Sequence, residues 1–192
     1  MVLTDDSLLA ERCRSLRNLC FQAERRFVHE ELGYNFRMSN LQAAVGVAQL
    51  ERLDLFVSRK RSMGKRYDTL LGDCDALQLP LARTEFADNI YWVYGVVLGD
   101  EVSADAAGMI RRLACRGVAT RPFFWPMHEQ PVFRRTGVLP ESCSSYPVAE
   151  RLARRGFYLP SGLGLRDEQI EIVAAALLDE LRIMGNDSID AV

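Results

Sequence analysis

Ile90-Tyr91-Trp92-Val93-Tyr94-Gly95-Val96-Val97-Leu98 is rich in β-branched and aromatic residues and nearly continuous in apolar character. It reads as a central strand. Outward toward the C-terminus, Ser103 is expected to cap a helix through about Arg116, stopped by Gly117. Val118-Ala119-Thr120-Arg121 is a second short strand that Pro122 ends. Phe123 to Tyr146, with Pro122, Pro126, Pro131 and Pro140 in or beside it, is an ordered irregular loop. A helix over Pro147–Arg155, a strand at Phe157-Tyr158-Leu159 and a helix from about Asp167 to Met184 complete this half. Outward toward the N-terminus, Ser39-Asn40-Leu41-Gln42 has the form of a capping box. It opens a long helix whose apolar positions run from Leu41 through Ala44, Ala48, Phe56, Met63 and Tyr67 to Leu71, roughly 45 Å at 1.5 Å per residue. Val2-Leu3 reads as a strand end, and Thr4 as the cap of a helix from Asp5 to about Leu19, with Leu8, Leu9, Cys13 and Leu16 on one face. The order predicts an α/β fold: a small, largely antiparallel sheet covered by helices on one side, preceded by a long connecting helix. Residues 1–40 cannot bury a core alone. They either pack on the rest of the chain or form the edge of a domain that this chain lacks.

The chain has 192 residues, 48% of them hydrophobic and 26% charged, with a formal net charge of −2. That balance is globular and excludes disordered, collagen-like and membrane-spanning classes. The most apolar run, Ile172 to Leu178, is far short of the roughly 20 residues a membrane helix requires. The N-terminus has neither a basic region nor an apolar run of signal type, so a cytoplasmic location is expected. Cys13, Cys20, Cys74, Cys115 and Cys143 are scattered, without a CxxC pair, and read as free thiols in or near the core rather than a disulfide framework or zinc site. Of the basic residues only Lys60 and Lys65 are lysine, so lysine chemistry has two candidates. Both belong to a charged stretch of the long helix around Ser58-Arg59-Lys60-Arg61, which reads as a solvated face. The arginines are interspersed with acidic residues and form no basic stripe, which argues against nucleic-acid binding.

Two segments carry chemistry. In Gly33-Tyr34-Asn35-Phe36-Arg37-Met38, an amide and a guanidinium precede a helix N-terminus, a setting suited to holding phosphate or carboxylate. Bracing of the loop is the alternative. In Thr120-Arg121-Pro122-Phe123-Phe124-Trp125-Pro126-Met127-His128-Glu129-Gln130-Pro131, a cation, three consecutive aromatics and a histidine are held between prolines. This suits a site that stacks a planar or sugar ring and pairs with an anion; a core role for the aromatics is the alternative. Metal and triad readings find no support in spacing: the only histidines are His29 and His128, there is no HxxxH, and no GxSxG, GxGxxG or Walker sequence occurs.

Gly33 through Ala44, running into Gln49-Leu50-Glu51-Arg52-Leu53, resembles the signature of the DegT/DnrJ/EryC1/StrS nucleotide-sugar aminotransferases. Thr120-Arg121-Pro122-Phe123-Phe124, with Pro126, His128 and Pro131, resembles the perosamine synthase branch of that family. The resemblance covers residues 1–184. It implies a fold-type I, pyridoxal 5'-phosphate-dependent homodimer that exchanges an amino group between glutamate and a 4-keto sugar nucleotide in polysaccharide or O-antigen sugar biosynthesis. It implies the organisation too: residues 1–40 as a remnant of the large cofactor-binding domain, 41–75 as the connecting helix, 76–186 as the C-terminal small α/β domain and 187–192 as a tail. Met1 to Asp6 resembles the strand that comes after the Schiff-base lysine, so that lysine is expected upstream of Met1. Lys60 and Lys65 match no family lysine of that role, and the chain alone is expected not to transaminate. By the same resemblance Asn35 reaches across the dimer to the neighbouring cofactor phosphate, with Arg37 in the same crossing loop, while His29, Arg121, Phe124 and His128 belong to the substrate region. Arg166 stands where the family has a Ser or Thr cap, so the last helix is expected to fray at its start. A C-terminal piece of the enzyme that needs its missing half predicts exposed apolar surface on residues 1–40. The competing readings are a non-catalytic nucleotide-sugar-binding or dimerisation module, and an inactive gene remnant.

Overall fold

The computed structural model describes residues 2–139 and 145–187, which fall into two compact units, Met1–Leu53 and Asp54–Val192. In the first, α1 (Ser7–Arg17) is capped by Asp6, whose carboxylate accepts from the Leu8 and Leu9 amides at 2.9 and 3.1 Å. Thr4 instead accepts from the Asp6 amide, so the helix starts two residues later than expected. Asp wins because its carboxylate meets the helix's unpaired N–H groups with a full charge. Val2-Leu3 is not a strand; no described segment pairs with it. α2 (Asn40–Leu50) opens on the expected capping box: Ser39 accepts from the Gln42 amide and Gln42 accepts from the Ser39 amide. It buries no residue.

The single long helix expected over 41–75 is two helices. After Leu50 the Glu51 amide is shared between the Val47 and Gln49 carbonyls, and the Arg52 amide bonds back only to Gln49. That tightening ends α2, and α3 (Leu53–Leu71) starts afresh after one turn.

The second unit is built on a four-stranded antiparallel sheet of β1 (Leu77–Gln78), β2 (Tyr94–Leu98), β3 (Arg121–Pro122) and β4 (Gly156–Leu159), in the order β1-β2-β4-β3. Tyr94, Val96 and Leu98 of β2 alternate onto one face, and the register sets Tyr94 opposite Leu159 and Val96 opposite Phe157. That face is buried with Met63, Tyr67 and Leu71 of α3, with Met109 and Leu113 of α4 (Ala106–Cys115), and with Ile170, Val173, Leu177 and Leu181 of α7 (Asp167–Asp187). The other face carries the Phe123 ring, which lies against Gly95 and Gly156 and is 4.6 Å from the Tyr158 ring. A Cβ on Gly156 would come within 2.3 Å of Phe123, so the ring's seat depends on glycine there.

Several boundaries differ from the sequence reading. The central strand begins only at Tyr94, because Tyr91 takes φ 50° with its amide donating to Asn89 Oδ1 at 2.7 Å, leaving Ile90 and Trp92 exposed. α4 is capped by Asp105 rather than Ser103, its carboxylate accepting from the Gly108 amide. The second short strand is Arg121–Pro122, so Pro122 lies within it and does not end it; its ladder partner is Phe157. The loop after it contains a 3₁₀ turn, Met127–Glu129, and a short helix α5 (Pro131–Arg135) started by Pro131. Pro140 to Ser144 of that loop lie outside the described residues, as do residues 188–192. α6 (Pro147–Arg155) and α7 stand close to where the sequence puts them. The start of α7 is not bare, since the Gln169 side chain accepts from the Arg166 amide at 3.0 Å and so caps the turn that Arg166 cannot.

Two polar clusters tie the second unit together. Asp68 of α3 accepts from both Tyr91 and Tyr94 hydroxyls, at 2.8 and 2.6 Å, while Tyr67 donates to the Pro160 carbonyl. Glu180, buried on α7, accepts from Arg112 of α4 and from Arg116, which caps the C-terminal end of that helix. Burial works against its charge, but the two guanidinium groups outweigh it and hold the carboxyl below its ordinary range. Among the described residues no helix is long and apolar enough to cross a membrane.

Candidate functional site

In the first unit the loop bearing Asn35 and Arg37 is fastened to the C-terminal end of α1. The Tyr34 amide donates to the Leu16 carbonyl, the Leu19 amide to Tyr34 and the Phe36 amide to Arg17, and Asn18 and Asn35 form a β-bridge. Gly33 makes the approach possible: a Cβ there would stand 2.4 Å from the backbone of Leu19 and Cys20. Arg37 then lies flat across the junction, Nε donating to Asn35 Oδ1 at 3.1 Å and Nη1 to Asn18 Oδ1 at 3.0 Å. Both amide oxygens are thereby turned to the guanidinium. The Asn35 amide N–H groups and Arg37 Nη2 are left without an acceptor among the described residues, on an exposed loop. The two residues named from sequence therefore form one donor-only cluster, and Asn18, which orients Arg37, is a third member that no sequence signal marked. His29 stands beside the same junction with Nδ1 2.9 Å from the Leu19 carbonyl and its ring against Phe21.

In the second unit the Arg121 to Pro131 segment leaves the sheet edge. Arg121 is exposed and its guanidinium makes no bond to a described residue. Phe124 is 76% exposed with its ring 6.3 Å from Tyr158. Arg154 of α6 covers the Trp125 ring at 5.0 Å and donates to Glu129 at 2.8 Å. His128 points the opposite way: its side chain is only 12% exposed, Nε2 lies 3.0 Å from Glu150, and its ring rests on Tyr146. Glu150 also accepts from the Tyr146 amide and from Ser145. The Tyr146 amide, then His128, hold its carboxyl below the ordinary range. Arg121 and Phe124 are thus both exposed, whereas His128 is largely shielded and held by Glu150. Glu129, Glu150 and Arg154 were missed; the one signal was Glu150 in the first turn after Pro147, an ordinary helix start.

Both lysines lie on α3. Lys60 donates to the Ser161 carbonyl, and burial lowers its pKa; Arg59 beside it reaches the Leu165 carbonyl and Asp167. This part of α3 is fastened to the β4–α7 connection rather than merely solvated; Lys65 is exposed. The donors at Asn35 and Arg37 suit the phosphate end of pyridoxal phosphate, while the Lys60 ammonium is engaged by the Ser161 carbonyl.

Comparison with known proteins places the chain. The DegT/DnrJ/EryC1/StrS aminotransferase family profile matches residues 1–178. GDP-perosamine synthase of Vibrio cholerae is 32% identical over 174 residues, covering 89% of this chain and 45% of that protein. GDP-perosamine synthase of Caulobacter vibrioides is 34% identical over 179 residues, covering 92% and 46%. Among solved structures, the aminotransferase TlmJ from Streptoalloteichus hindustanus superposes with a TM-score of 0.78 at 30% identity, over 93% of this chain and 47% of that one. The chain spans about half the length of these relatives. With the profile matched along nearly its whole length, this chain belongs to the DegT/DnrJ/EryC1/StrS aminotransferase family.

Proposed function

We propose that this chain contributes the C-terminal half of a pyridoxal-phosphate-dependent aminotransferase that passes an amino group from glutamate to a nucleotide-linked 4-keto sugar, in the manner of a perosamine synthase and in the cytoplasm. The observation that carries the reading is the donor-only cluster of Asn35 and Arg37, oriented by Asn18, within the family's own sequence signature. When bound, the cofactor supplies the electron sink for amino exchange. Asn35 and Arg37 donate to its phosphate oxygens across a dimer. Arg121 neutralises the diphosphate of the substrate, and the exposed Phe124 ring offers a face to a base or sugar. His29 and His128, held by the Leu19 carbonyl and by Glu150, position the two loops. The lysine that carries the cofactor comes from polypeptide outside these residues.

Treating the purified chain with pyridoxal phosphate and borohydride, then mapping peptides, tests the division of labour: no stoichiometric pyridoxyl group on Lys60 or Lys65 is expected, and labelling of either overturns it. Combined with a lysine-bearing N-terminal half, glutamate and a GDP-linked 4-keto sugar, the chain should transaminate. Asn35→Ala or Arg121→Ala should then cost about ten- to a hundredfold in kcat/KM, the range of a lost hydrogen bond to a charged group. Unchanged rates would remove both residues from the site. Ligand binding without turnover in the combined sample would favour a non-catalytic nucleotide-sugar module.

A further inference from the structure

The Arg121–Pro131 segment carries a cluster from which the aminotransferase reading uses only the His128–Glu150 contact that holds the loop. His128, Glu129 and Glu150 each bring one donor atom within 4.8 Å of the other two. The first two stand next to each other on the 3₁₀ turn, and the third comes from the first turn of α6, so chain spacing alone gives no hint of the group. Two features separate it from an ordinary surface ion pair. The Glu129 carboxylate is already split: Oε1 accepts from Arg154, while Oε2 is shielded from solvent and has no hydrogen-bond partner. A buried carboxylate oxygen facing nothing is costly unless something positive completes it. The outer support a metal site needs is also in place: Arg154 fixes Glu129, and the Tyr146 amide and Ser145 hydroxyl fix Glu150. Arg154 and Arg134 are the cations nearby, and they bind the Glu129 Oε1, Glu150 carbonyl and His128 carbonyl oxygens rather than Glu129 Oε2.

We propose that His128, Glu129 and Glu150 bind one divalent cation of the zinc class, with Glu129 Oε2 as the ligand that is otherwise unsatisfied. One neutral imidazole and two carboxylates, without thiolate, form a dianionic set that suits zinc and leaves a coordination position for water. The cation clamps the 3₁₀ turn to α6 and so fixes the segment that carries Arg121 and Phe124. The binding itself is independent of the aminotransferase reading.

The test is titration of the full chain, stripped of metal, with cobalt(II) and then zinc(II). Saturable one-to-one binding is expected, with visible d–d absorption, no thiolate-to-metal charge-transfer band, and a Tm raised by zinc. Glu129→Gln, which keeps an acceptor for Arg154, and His128→Ala should each weaken binding by about tenfold or more. If His128→Ala fails to fold by circular dichroism, Glu129→Gln decides. Absence of saturable binding overturns the proposal. So does a thiolate band, which would assign the metal to the cysteines, or binding that the substitutions leave unchanged, which would mark an adventitious ion only.

Discussion

Asp68 shows how one carboxylate organises a core. It accepts from two tyrosines that approach from the loop before β2 and from β2 itself, and Tyr91 can reach it only because its backbone takes φ 50° over Gly64. Asp68→Ala leaves two shielded hydroxyls unpaired and should cost about 1–3 kcal/mol in urea unfolding. The same contacts set a pH dependence. Burial, then the Asp68 hydrogen bond, pushes Tyr91 up to about 12 from 10.0, and Tyr94 and Tyr67 move the same way. Between those two values the unfolded chain releases a proton that the folded chain keeps. This stabilisation is therefore complete below about pH 10 and drains away as pH climbs toward 12. A urea midpoint that falls between about pH 9 and about pH 11, together with delayed phenolate absorbance, is the expected result; a flat midpoint would contradict it.

The element that positions the second cluster is the β3–β4 edge. Phe123 is plugged into the sheet face between Gly95 and Gly156, which leaves its neighbours Arg121 and Phe124 displayed outward. Gly156→Ala drives a methyl group into the ring and the Leu152 carbonyl. Overpacking of this kind should cost about 1–3 kcal/mol. It should also release Phe123, so that ring resonances of Phe123 and Tyr158 shift in NMR spectra while the methyl resonances of Met109 and Leu113, on the opposite face, do not. If both faces shifted alike, Phe123 would not be a local wedge. α2 is the contrasting element. It has a complete capping box and no buried residue, and a helix of 11 residues without packing is marginal in water.

At the scale of the molecule the two units differ in kind. Asp54–Val192 contains the apolar core, whereas among the described residues the buried hydrophobic ones of Met1–Leu53 reduce to Cys20. Leu8, Phe27, Leu32, Phe36, Met38 and Leu41 are all exposed. On the proposed reading this apolar surface is where a larger domain or a second copy packs. The isolated chain should therefore enhance the fluorescence of a hydrophobic dye and self-associate with rising concentration in sedimentation velocity. Addition of a lysine-bearing half should suppress both. A dye-silent monomer at every concentration would show that this surface is not sticky.

Local chemistry was legible in the sequence. The capping box at Ser39 and Gln42, the α/β order of the second unit, the apolar run of β2, the last two helices and the family signature come from side-chain type and spacing alone, because caps, periodicity and motif order act within a few residues. What the sequence left open was decided by partners distant along the chain. Val2-Leu3 is no strand because no described segment pairs with it; the break of the long helix after Leu50 is, by contrast, local, where backbone bonding tightens. Lys60 is drawn to the carbonyl of Ser161, and His128 turns from the open surface to Glu150, 22 residues away. Asn18 meets Arg37 only once Gly33 lets two backbone segments touch. Periodicity shows which face of an element is apolar, but a polar side chain's direction depends on which acceptor the fold brings within about 3 Å, and only the tertiary structure specifies that.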